Sequence, residues 1–163
     1  MFNFFFNGFR PRMRLVFCLW FALNLAACRT APPMSRADLS APGWKSLQGQ
    51  AVWRAGHHAP EIAGELLVAT HVSGRVLLQF TKSPFPLVIA QTSTNGWQLE
   101  VPAQGRFYSG RGPWPARVIW FELPPALAGR AMPNRWRWRL AENRSWRLDN
   151  PATGESLEGW LNP

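Results

Sequence analysis

From residue 44 onward, apolar and polar positions alternate in short runs separated by turn residues, a pattern of β-strands rather than helices. Residues 48–55 (QGQAVWRA) alternate loosely and stop at Gly56. Residues 65–72 (ELLVATHV) and 75–81 (RVLLQFT) flank Ser73-Gly74 and predict a hairpin. A run at 87–92 (LVIAQT) reaches Asn95-Gly96, a strong hairpin signal, and 97–101 (WQLEV) returns from it. Short strands follow at 105–109 and, after an interruption, at 135–140 (RWRWRL), 145–148 and 155–161, the last two joined through Thr153-Gly154. In 135–140 the period is strictly two, with Trp136, Trp138 and Leu140 on one face and Arg135, Arg137 and Arg139 on the other.

The interruption predicts one helix over about 115–129. Pro115 stands where a first-turn proline belongs, and Val118, Ile119, Phe121 and Leu123 are apolar. Pro124-Pro125 is expected to end it, with one further turn possible to Gly129. Eight or nine strands around one helix predict a mainly β, α+β fold: a single curled antiparallel sheet, an unclosed half-barrel with the helix on its concave side.

The first 43 residues obey a different pattern. Arg10, Arg12 and Arg14 precede an eleven-residue apolar run, 15–25 (LVFCLWFALNL), followed by Ala26, Ala27 and Cys28. A charged segment, a short apolar core and small residues make a secretory signal peptide, and the run is shorter than the roughly 20 residues of a transmembrane helix. Leu25-Ala26-Ala27-Cys28 resembles the bacterial lipobox, in which the Cys thiol is lipidated and becomes the new N-terminus. Three domains of use follow: a signal peptide at 1–27, a lipidated N-terminus and flexible tether at 28–43, rich in Pro, Ala and Ser, and a folded domain at 44–163. Arg29, where enteric lipoproteins retained at the inner membrane carry Asp, implies an outer-membrane anchor with the domain facing the periplasm.

Composition sharpens this picture. The chain has 163 residues, 18 Lys+Arg against 9 Asp+Glu, and ten Trp. All but Lys45 and Lys82 of the basic residues are Arg. Loss of residues 1–27 takes three Arg and lowers the formal charge from +9 to +6. It also removes Cys18, and lipidation consumes Cys28, which leaves no thiol for a disulfide, metal or nucleophile. Arg interleaved with Trp suits single-stranded nucleic acid or an anionic lipid surface, and an envelope address favours the second. No nucleic-acid partner is expected.

A lipobox chain of this size with a meandering sheet resembles the LolA/LolB-type lipoprotein-carrier superfamily. The resemblance rests on residues 107–133 (FYSGRGPWPARVIWFELPPALAGRAMP): a strand ending near Gly110 to Gly112, an apolar helix with Trp, and a Gly129-to-Pro133 exit. The Trp146-Arg147-Leu148 segment closing through Gly154-Glu155 has the same character. The family half-barrel has more strands than this domain can supply. The resemblance implies an apolar cavity covered by helix that holds acyl chains. Candidate lining residues are Leu66, Val68, Leu78, Phe80, Ile89, Trp97, Leu99, Ile119, Trp120, Leu123, Trp136 and Trp138. Sequence alone does not separate a cavity wall from a filled core.

No catalytic constellation is present, and the chain is not expected to be an enzyme or to need a cofactor. His57, His58 and His71 lack carboxylate or thiol partners at ligand spacing, so no metal site is expected. Ser109 lacks the Gly-x-Ser-x-Gly frame of a nucleophile elbow, and Gly110-Arg111-Gly112 is too short for a phosphate loop. Two functions fit: a lipoprotein binding acyl chains or lipidated cargo in lipid or lipoprotein trafficking, or an adaptor lipoprotein docking an envelope complex through the basic face of Arg135, Arg137 and Arg139.

Overall fold

A computed structural model describes residues 33–142 and 144–162. Signal peptide, Cys28 and the first part of the tether lie outside the described residues. The described chain forms nine strands: β1 (Trp44–Arg54), β2 (Glu61–His71), β3 (Val76–Lys82), β4 (Phe85–Ser93), β5 (Gly96–Val101), β6 (Arg106–Arg111), β7 (Arg137–Leu140), β8 (Ser145–Asn150) and β9 (Glu155–Asn162). They make one antiparallel sheet in the order β6-β5-β4-β3-β2-β1-β9-β8-β7. Hairpins join neighbours from β1 to β6 and from β7 to β9, and β1 pairs with β9 to unite the two halves. β6 and β7 remain as edges, so the sheet is not closed. The hairpins at Ser73-Gly74 and Thr153-Gly154 fall where the turn residues predict, and the β4–β5 hairpin turns one residue earlier than Asn95-Gly96, through Thr94 and Asn95, with Gly96 paired to Ser93.

The link from β6 to β7 carries the helix, α1 (Ile119–Leu127). It contacts β4 and β8, which stand five strands apart in the order and would lie about 24 Å from each other in a flat sheet. One short helix reaches both because the sheet curls around it. Close backbone approach where β1 meets β9 permits this curl: a Cβ on Gly49 would stand 1.9 Å from the Trp160 carbonyl oxygen, and one on Gly159 would stand 2.1 Å from that of Gln50.

Two features of the helix differ from the sequence expectation. Pro115 does not open α1; its carbonyl accepts the Val118 N–H at 3.1 Å in a separate turn, and the helix begins at Ile119 after an extended Val118. Pro124 and Pro125 lie inside the helix rather than ending it. Their missing N–H groups are tolerated because Ile119, Trp120, Phe121, Leu123 and Ala126 are buried, so packing holds what hydrogen bonding cannot. The Ala128 N–H bonds the Pro124 carbonyl at 3.1 Å and the Arg130 N–H bonds that of Pro125 at 3.0 Å, closing the C-terminal end.

The main core lies between α1 and the concave face. Leu66 and Val68 of β2, Leu78 and Phe80 of β3, Val88 and Ala90 of β4, and Trp146, Leu148 and Leu157 of β8 and β9 meet the helix there. Trp120 packs on Phe80 and Trp53, with ring centroids 5.3 and 5.2 Å away, and Phe121 packs edge-on to Trp97 at 5.6 Å. A second, smaller cluster covers the convex face: Ala69, Leu77 and Ile89, with Leu67, Trp44 and Ala37 against them. Ala37 belongs to the segment expected to be a free tether. From Met34 onward that segment is instead bound to the sheet as a strap. The Met34 N–H donates to Gln98 Oε1 at 2.7 Å, the Ser35 carbonyl accepts from Arg75 at 3.4 Å, and the Pro42 carbonyl contacts His71 Nε2 at 3.2 Å. An apolar outer face on β2–β4 is the physical reason, since it needs a cover.

Candidate functional site

A cleft of about 650 Å³ opens between the helix and the concave face. Leu78 of β3 and Ala90 of β4 form the sheet side, and Trp120, Phe121, Pro124 and Pro125 form the helix side. Thr70, Thr92 and Ser93, with Arg130, supply a polar and basic rim, while the Arg75 guanidinium turns to the convex face, over the Trp44 ring and toward the Ser35 carbonyl. Apolar walls with a few polar groups at the mouth are the build of a small-molecule site, and the volume falls within the usual range. The prolines matter locally: a Pro-Pro pair on the helix offers rigid apolar surface without N–H groups that would need partners.

A larger cleft of about 850 Å³ lies where β1, β2, β8 and β9 meet the β3–β4 turn and the end of β7. Glycines and charged groups line it, among them Gly64, Gly159, Lys82, Arg139, Arg147 and Glu158. Arg147 pairs with Glu158 and with Asp149, and Arg139 with Asp149 at 2.5 Å, so these two arginines and Glu158 are already engaged within the chain. The smaller cleft is the better candidate because its walls are apolar and its position is under the helix.

The predicted lining residues divide into four groups. Leu78 and Trp120 line the cleft. Leu66, Val68, Phe80, Ile119, Leu123 and Trp136 are buried and fill the core rather than wall a cavity. Trp97, Leu99 and Trp138 are half-buried at its margins, and Trp138 stacks on Trp146 with centroids 6.0 Å apart. Ile89 is on the wrong face: it belongs to the convex cluster under the strap. Both faces of β4 are buried, so its continuous apolar run carries no alternation from which to choose a face. Ala90 and Thr92 were missed for the same reason. Phe121 went unselected although its aromatic character was visible.

The basic stripe is also corrected. Arg135 stands in the turn before β7, and its charge acts on Glu122 of the helix rather than beside Arg137 and Arg139. Trp136 lies outside the strand, buried, its indole N–H donating to the Ala116 carbonyl at 2.7 Å. Leu140 is 67% exposed.

Two carboxyl groups are displaced from their usual range. Burial raises Glu122, while the Trp114 indole, donating to its Oε1 at 3.1 Å, and Arg135 pull the other way. Burial pushes Glu155 up to about 7. The Trp53 indole N–H faces Glu155 and lowers it slightly, but makes no hydrogen bond of ordinary geometry. Neither carboxyl lines the cleft. Among the described residues no three His, Cys, Asp or Glu side chains gather as a metal-binding group. Comparison with protein-family models and with curated proteins finds no match to the chain.

Proposed function

We propose that this chain is a membrane-anchored lipoprotein, held through a lipidated Cys28, that binds acyl chains or lipidated cargo in lipid or lipoprotein trafficking at the bacterial outer membrane. The cleft under α1 is the observation that supports this reading. Trp114, Pro124 and Pro125, half-buried above a buried floor of Leu78, Ala90, Trp120 and Phe121, offer a methylene chain an apolar wall, at about 0.8 kcal/mol for each methylene removed from water. Arg130 at the rim suits an anionic head group. The role is binding and hand-over, without covalent chemistry. The adaptor alternative draws less support, because Arg139 is paired with Asp149 and Arg135 stands apart from the stripe.

Mass spectrometry of the chain purified from membranes tests both halves of the reading. Acylated Cys28 and co-purified lipid are expected. A chain with an unmodified Cys28 refutes the anchor; a delipidated chain that binds no fatty-acyl probe refutes the cleft.

A further inference from the structure

We infer that the edge strand β6 and the convex face beside it are the surface this chain lays against an anionic bilayer. The inference rests on the lipid-anchored reading of Cys28 and adds to it an orientation.

The strap sets where the anchor emerges. Its first hydrogen bond to the sheet is from the Met34 N–H to Gln98 of β5, on the convex face. Six residue steps separate Cys28 from Met34, at most about 20 Å of extended chain. Gln98 pairs with Ser109 of β6, and strand alternation places Phe107 and Arg111 on either side of Ser109 on that same face. Chain length therefore ties a lipidated Cys28 to within about 20 Å of the Met34–Gln98 bond, and a leash of this length keeps the β5–β6 side of the sheet near the lipid.

The residues at that edge fit an interface. At this free edge Phe107 on the convex face and Tyr108 on the other are 44% and 46% exposed, unusual for aromatic side chains, with Arg111 on the Phe107 face and Arg106 on the Tyr108 face at the two ends of the strand. Exposed Arg36 of the strap adds a further positive charge. Two acids stand nearby and keep their charge, Glu100 opposite Phe107, bonded to Gln98 Nε2 at 2.5 Å, and Asp38, bonded to Ser40, so Arg36, Arg106 and Arg111 leave the edge net positive by one. Aromatic rings belong at the head-group level, and Arg beside them is drawn to anionic lipid.

The test uses the mature chain from membranes, its Cys28 modification scored by mass, in vesicles of phosphatidylcholine and phosphatidylglycerol at three to one. Spin labels are placed at Phe107→Cys and, for reference, at Val72→Cys, a site 82% exposed on the β2–β3 turn. The label at 107 is expected within the head-group region and that at 72 in water. Charge reversal by Arg106→Glu with Arg111→Glu is expected to move the 107 label into water while circular dichroism stays unchanged. Equal water exposure of both labels on an acylated chain overturns the orientation and leaves the anchor standing. An unchanged depth after charge reversal overturns the role of anionic lipid. A mass showing bare Cys28 overturns the anchor reading itself.

Discussion

The Trp120 indole of the helix stands edge-on to Trp53 of β1, ring centroids 5.2 Å apart and planes at 60°. This contact ties the helix to β1, the strand through which the two halves of the sheet join, and Phe80 braces Trp120 from β3 at 5.3 Å. Edge-on aromatic pairs add to the burial of the rings themselves.

Trp120→Ala is expected to cost about 3–5 kcal/mol in urea denaturation, because the surrounding strands cannot close over so large a gap. Trp160→Ala, at a ring 42% exposed, should cost under about 1 kcal/mol. Equal losses at the two sites would contradict the packing described.

Glu155 makes stability depend on pH in a defined direction. Its folded pKa, about 7, lies above the ordinary value of 4.5, so the folded chain holds a proton that the unfolded chain has released. Stability falls as pH rises from about 4.5 to about 7 and is level above. Glu155→Gln should remove that slope and raise stability at pH 8 by about 2 kcal/mol, allowing for the part of the group that water reaches. Thermal melts of both chains between pH 4 and 8 measure it.

Gly49 and Gly74 should respond differently to alanine. At Gly49 the added Cβ meets a backbone oxygen at 1.9 Å, which no side-chain movement relieves, so Gly49→Ala should cost about 3 kcal/mol or more. At Gly74 the φ of +82° is the only obstacle and nothing lies within 4 Å, so Gly74→Ala should cost about 1 kcal/mol. Chemical denaturation separates the two.

Ala128 sits at the exposed end of the helix and lines the cleft. Ala128→Trp should block the mouth without disturbing the core. A fluorescent fatty-acyl probe is expected to bind at least tenfold more weakly, with the melting temperature within about 3 °C of the parent. Undiminished probe binding would place the acyl site elsewhere.

The strap tests how the convex face is covered. Ala37→Glu sets a charge against Leu77 and Ile89 and should cost about 2 kcal/mol by denaturation. Proteolysis after Arg36 should quicken in the variant. A free tether would show neither change.

Local sequence was enough to read the hairpins. Gly74 and Gly154 supply the positive φ their turns demand, Asn95 stands in the β4–β5 turn, and each strand between them shows its short apolar run. The single helix inside a curled, open antiparallel sheet follows from the same local pattern. The tertiary structure decided what depends on distant partners. Pro124 and Pro125 stay helical because Trp120 and Leu123 are packed by strands from both halves of the sheet. Ile89 faces outward because residues 34–42 return to cover it, an event that leaves no periodic mark in β4. Leu66 and Phe80 fill the core while Leu78 and Ala90 border open space, a difference set by where a nine-residue helix comes to rest. Turn chemistry and alternation act between neighbours along the chain, whereas the cleft is the volume left when nine strands close incompletely on one helix.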